Sequence, residues 1–263
     1  MPLIQDICSF LDEFAPRNLA ENWDNVGLLV GDPQSAADRI MTCLTITPTS
    51  AQEAIDKECD LIISHHPLPF KPIKKLTTEL TATRLLWNLI RAGISIYSPH
   101  TGLDSASQGI NQKLALLAGI GNPKPIVPLE GQSHSLGAGR IGTLDQRANV
   151  ADLIDTLREP LGAGHVGLVG EMDATIHKVA FACGSGGTFL EPAIELGCDA
   201  MVTGEASFHT CLEAQAAGVQ LILLGHYASE RFALDQLASE LKQHFSQTDV
   251  WASQQESDPV KRV

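Results

Sequence analysis

The order of apolar runs constrains this chain more than any other feature. Ile40 to Ile46 reads as a strand, Ser50 to Glu58 as a helix and Leu61 to Ile63 as a strand. Ala82 to Arg91 then reads as a helix, Ile94 to Tyr97 as a strand and Ser107 to Leu117 as a helix. The same alternation returns near the end: strands at Lys178 to Cys183, Ala200 to Thr203 and Val219 to Leu224, helices at Leu190 to Leu196, Phe208 to Ala216 and Ser229 to His244. Strand–helix–strand order predicts mainly parallel sheets covered by helices, joined by right-handed crossovers. Ahead of the first run, Leu3, Ile4, Ile7, Phe10, Leu11 and Phe14 keep helical spacing up to Pro16. A strand from Val26 to Val30 follows inside ENWDNVGLLVGDP, where Asp24 and Asn25 read equally as turn residues or as lining of a site.

The two halves match residue by residue. A shift of 139 (198 − 59) puts Thr49 on Thr188, Ala54 on Ala193, Ile55 on Ile194, Cys59 on Cys198 and Asp60 on Asp199. Five identities over Ile40 to Asp60 exceed the roughly one that chance supplies, so the chain reads as a duplicated α/β unit. Further on, Ala92-Gly93 meets Ala217-Gly218 at a shorter offset of 125. The expected organisation is a first unit over 1–118, a connecting segment of short strands over 119–176, a second unit over 177–250 and a frayed polar tail over 251–263. GAGRIG in the connecting segment has the glycine spacing of a dinucleotide fingerprint, but no strand precedes it and no helix follows, so a short strand with tight turns is expected.

The 263 residues suffice for a sizeable core, and a net charge of −13 argues against nonspecific binding to nucleic acid or anionic membranes, where a basic patch supplies the affinity. No basic n-region opens the chain, and no run of eighteen apolar residues exists, so neither a secretory signal nor a membrane span is expected. None of the six cysteines forms a CxxC pair, and they read as free buried thiols of a cytoplasmic protein.

Three pieces carry the chemistry: SHHPLPF with His65 and His66, SPHTGLDSA with His100 and Asp104, and LLGHYASE with His226 and Glu230. Each follows an apolar strand, and the carboxyl ends of parallel strands form the ligand crevice. Imidazole and carboxylate donors together favour zinc, iron, manganese, cobalt or nickel over calcium. Adjacent histidines on an extended segment point apart, which suits two cations better than one. His100/Asp104 and His226/Glu230 share an i,i+4 spacing at equivalent places of the repeat. The position equivalent to His65-His66 holds Gly204-Glu205, which makes Glu205 an outer partner or an acid–base group. His134, His165, His177 and His244 read as ordinary loop or surface residues.

In NWDNVGLLVG, SHHPL, HTGLD, TGE and GHYASE the sequence resembles the GTP cyclohydrolase 1 type 2 homologues, the Nif-three-like family, in its compact bacterial form. The resemblance covers nearly the whole chain. It implies two duplicated units with a metal site in the cleft between them, holding two divalent metal ions per chain. It implies His65, His66, Asp104, His226 and a bridging Glu230 as ligands, with His100 beside the site rather than in it. It also implies a homohexamer built as a trimer of dimers. The activity expected from the site is metal-dependent hydrolysis of a small molecule, with Glu205 or His100 shuttling protons. The alternative is a metal-handling or scaffold protein without turnover.

Overall fold

The computed structural model describes residues 1–129 and 136–261. It divides into two compact units, Met1–Leu103 with Ala233–Pro259, and Asp104–Phe232. The boundaries therefore differ from the expected 118/119 and 176/177. The connecting segment supplies strands and a helix to the second unit, while Ala233–Pro259 returns to the first.

The first unit holds a five-stranded sheet in the order Gly27–Val30, Ser95–Ser98, Leu61–Ser64, Arg39–Cys43, Asp249–Ala252. All neighbours are parallel except the first pair. Met41, Ile62 and Ile96 on its strands pack with Leu86 and Leu89 of helix Thr81–Arg91 and Ala51 and Ala54 of helix Pro48–Asp56. These strands are buried on both faces, which is why they read as unbroken apolar runs.

The second unit repeats the plan. Its sheet runs Arg140–Asn149, Thr175–Ala182, Ala200–Thr203, Gln220–Leu223, Gly167–Val169, with a parallel centre and antiparallel edges. Leu61–Ser64 maps onto Ala200–Thr203 at the offset of 139, and Ser95–Ser98 onto Gln220–Leu223 at 125. The hydrogen bonds follow the same arithmetic. The amide of Ser95 donates to Asp60 and that of Gln220 to Asp199. The amide of Cys59 donates to Ala54 and that of Cys198 to Ala193.

The connecting segment is more ordered than expected. Helix Val150–Leu161 buries Val150, Leu153, Ile154, Leu157 and Leu161 against Ile176, Phe181, Val202 and Ile222. Asn149 and Asp152 form a capping box at its start, and Gly162 closes it in the left-handed region at φ 60°. GAGRIG surrounds a buried arginine. Arg140 is fully buried and donates to Gln112 Oε1, to the carbonyls of Gly137 and Gly139, and to those of Ser105 and Ala106, at 2.6–3.0 Å. Burial alone lowers its pKa, to about 10. A β-carbon on Gly137 would strike the backbone of Val127 and Pro128, so only glycine fits there.

The tail departs from expectation as well. Asp249–Ala252 is a sheet strand, and Glu53 accepts hydrogen bonds from Ser253 Oγ and from the amides of Gln254 and Gln255. Five of the six cysteines are buried and Cys211 is half-buried. Among the described residues no helix is long and apolar enough to cross a membrane. His134 lies outside the described residues.

Candidate metal centre

In the first unit the chain leaves strand Leu61–Ser64 directly into His65 and His66, whose amides donate to the carbonyls of Cys43 and Leu44 at 2.9 Å. His65 is fully buried, and Ser98 Oγ donates to its carbonyl at 2.6 Å. Nδ1 of His66 pairs with Thr45 Oγ1 at 2.7 Å. Glu256 in turn accepts from the amides of Leu44 and Thr45, so the tail braces the residue that orients His66. His100 follows the neighbouring strand Ser95–Ser98 and opens helix His100–Ser105. The His65 ring centroid lies 5.0 Å from that of His66 and 5.1 Å from that of His100. One potential ligand atom from each of the three lies within 4.8 Å of the others. The rings of His65 and His66 therefore converge. The expected divergence fails because the strand ends at Ser64 and the backbone bends at both histidines.

His100 is held from behind. Its Nδ1 donates to Asp24 Oδ1 at 2.7 Å, and Thr101 donates to Asp24 Oδ2 through its amide and hydroxyl. Burial raises the Asp24 pKa, but the bonds from His100 and Thr101 outweigh it and bring the group to about 2.

The second unit gathers Asp104, Glu205, His226 and Glu230. His226 opens helix His226–His244 at the end of strand Gln220–Leu223. Its Nε2 lies 3.1 Å from Glu230 Oε2 one turn on, and its Nδ1 donates to Glu205 Oε1 at 3.0 Å. Glu205 also accepts from Ser185 Oγ at 2.6 Å. The Glu230 bond raises the His226 pKa, burial opposes it, and Glu205 adds to the rise, to about 9. Bonds from Ser185 and His226 hold Glu205 low. Asp104 Oδ1 accepts from the buried Cys183 thiol at 3.2 Å. Burial, and after it the charges of Asp104 and Glu230, push that thiol well above its ordinary value.

Two glycines make room for these groups. A β-carbon on Gly184, at φ 57°, would run into the Glu230 carboxylate and approach His226 Nε2 to 3.3 Å. One on Gly204 would meet the Gly184 carbonyl and Ser229 Oγ, each at 2.6 Å.

The donor sets fit a divalent cation. Clustered imidazoles in one unit, and a buried carboxylate with a carboxylate-backed histidine in the other, are nitrogen and oxygen donors of the kind transition metals take. A carboxylate on the far nitrogen of a ligating histidine, as Glu205 stands to His226, fixes the tautomer and raises ligand basicity.

The profile of the Duf34/NIF3 (NGG1p interacting factor 3) family matches residues 2–259. The chain belongs to the DUF34/NIF3 family. A relative from Clostridium acetobutylicum named GTP cyclohydrolase 1 type 2 homolog is 32% identical, with 98% of each chain covered. A Helicobacter pylori relative named GTP cyclohydrolase 1 type 2 is 33% identical over 89% of this chain and 90% of its own. The crystal structure of a Staphylococcus aureus hypothetical protein is similar at a TM-score of 0.90 and 29% identity, covering 99% of each chain.

Within this DUF34/NIF3 chain the repeat is not symmetric at the histidines. The offset of 125 that carries strand Ser95–Ser98 onto Gln220–Leu223 puts His100 on Gly225 and Thr101 on His226. Both His100 and Gly225 have positive φ, at 25° and 92°. The apparent equivalence of His100 and His226 is thus one residue out of register. Sequence reasoning left Asp24 undecided and missed Thr45, Cys183, Gly184, Ser185 and Glu256. For Gly184, the glycine-rich CGSGG after an apolar strand was the available signal.

Proposed function

We propose that this protein is a metal-dependent hydrolase whose donors His65, His66, Asp104, His226 and Glu230 would hold two divalent cations. The observation that carries the reading is the pair of carboxylate-backed histidines, Asp24–His100 and Glu205–His226, at the ends of sheet strands in two copies of one unit. Bound cations would lower the pKa of a water and polarise the bond it attacks. Glu205 holds His226 in place. Glu205 or His100, each joined to a carboxylate or imidazole partner in its own unit, would shuttle protons. The names of the relatives make opening of a purine-type ring the first reaction to test. With 18 Lys and Arg against 31 Asp and Glu, a triphosphate would lean on the cations more than on side chains. Copies of the chain are proposed to assemble as a trimer of dimers.

The test is elemental analysis of the purified protein together with turnover of GTP, phosphoesters and cyclic amides after loading with zinc, manganese, iron, nickel or cobalt. Two equivalents of metal with hydrolysis of any member supports the reading. Stoichiometric metal with no turnover across the panel leaves the storage or scaffold alternative. Light scattering of the same sample reads the assembly.

A further inference from the structure

We propose that Asn111 and Ser229 are positioning residues for the second unit's candidate metal ligands, Asp104 and His226. Each side chain closes one amide at the end of strand Thr175–Ala182 and holds the carbonyl of one ligand. The inference rests on the metal reading above.

Cys183 and Gly184 directly follow that strand. The Cys183 amide donates to Asn111 Oδ1 at 2.7 Å, and Asn111 Nδ2 donates to the Asp104 carbonyl at 3.1 Å. The Gly184 amide donates to Ser229 Oγ at 3.0 Å, and Ser229 Oγ donates to the His226 carbonyl at 2.9 Å. Two consecutive amides thus set the places of two ligands from distant parts of the chain. Asn111 is 3% exposed and Ser229 not at all, so solvent does not compete for these bonds. A buried amide or hydroxyl needs partners. Here the partners are the main chain of the residues that would hold the cation. The Cys183 thiol adds a bond to Asp104 Oδ1 at 3.2 Å, so one strand end fixes both the carbonyl and the carboxylate of that ligand.

The first unit shows what is particular to this arrangement. The offset of 139 puts Leu44 on Cys183 and Thr45 on Gly184. There a single carboxylate, Glu256, accepts from both amides. An ionised carboxylate only accepts, whereas an amide or a hydroxyl accepts and donates at once. With Asn111 and Ser229 in that place, the second unit gains two donors aimed at ligand carbonyls. Helix His100–Ser105 has only six residues, so the carbonyls at its end lack partners within the helix. Asn111 takes that of Asp104, and Arg140 takes those of Ser105 and Ala106 at 3.0 and 2.8 Å. Buried side chains therefore hold the Asp104 main chain in place of further helical turns. A ligand already held loses less freedom when a cation binds.

The test is the zinc affinity of the full chain, measured by competition with a chelator and read as two double-mutant cycles. Asn111→Leu and Ser229→Ala should each weaken binding roughly tenfold or more. In an Asp104→Ala background, Asn111→Leu should change affinity by less than about twofold, because the ligand it positions is gone. Ser229→Ala should behave likewise in a His226→Ala background. A merely structural role would lower affinity equally in both backgrounds, and that result overturns the proposal, as does unchanged affinity in the single variants. Metal-free crystal structures give a second readout. Asp104 should leave Cys183 Sγ in Asn111→Leu, and His226 should leave Glu205 in Ser229→Ala, with the sheet intact. Ligands found in their original places overturn the proposal. If the unsubstituted chain takes up no zinc, the metal reading fails, while these structures still decide whether Asn111 and Ser229 hold Asp104 and His226. Should Asn111→Leu fail to fold, Asn111→Ser, which is too short to span both partners, takes its place.

Discussion

Asp60 and Asp199 perform the same task in the two copies of the fold. Asp60 Oδ2 accepts from the amides of Asp38 and Arg39 at 2.8 and 2.9 Å, and Asp199 Oδ2 accepts from those of His177 and Lys178, both at 2.8 Å. Each carboxylate ties the end of one helix-to-strand turn to the start of the neighbouring strand.

Asp60→Ala and Asp199→Ala should therefore cost about the same, each about 1–3 kcal/mol, because a charge-assisted pair of backbone bonds is lost in each case. Urea unfolding of the two variants checks this. A large loss for one and none for the other would break the equivalence.

His66→Ala with Glu230→Ala should strip most of the bound metal while leaving the sheets folded. Elemental analysis and far-ultraviolet dichroism read the two effects separately. Full metal retention in the double variant would sink the ligand assignment.

Gly184→Ala should weaken metal binding by about tenfold or more and destabilise the protein by about 1–3 kcal/mol. The added carbon needs a left-handed backbone and the space of the Glu230 carboxylate. Competition with a chelator of known affinity gives the first number and thermal unfolding the second. Unaltered affinity would mean that Glu230 does not ligate.

Glu53 gives a pH dependence of known sign. Burial raises its pKa, but Ser253, Lys57 and the amides of Gln254 and Gln255 outweigh it and hold the group low. A depressed folded value gives stability that is complete above the unfolded value of about 4.3 and is lost as the pH falls through the folded one. Glu53→Gln should cost about 2–3 kcal/mol at pH 7, with the gap to the unsubstituted protein closing on acidification below about pH 4.5. Urea midpoints from pH 7 to pH 3 measure it. A gap that stays constant would contradict the assignment.

The sequence by itself determined the alternating strands and helices, the duplication and the donors at the strand ends. Burial on both faces forces unbroken apolar runs, and a repeat leaves identities such as Cys59 and Cys198 that need no structure to be seen. Helix Val150–Leu161 was not read from the sequence, because the glycines and prolines around it masked its apolar spacing and its Asn149 cap. Other features belong to the tertiary structure alone. Asp24 meets His100 across 76 positions of chain, Glu256 reaches Leu44 across 212, and strand Asp249–Ala252 joins a sheet begun more than two hundred residues earlier. The one-residue offset of His100 from His226 was also hidden, because it depends on where each strand stops. Periodicity records what a residue does to its neighbours along the chain. Which distant carboxylate turns a given imidazole is decided only once the backbone has folded and buried both.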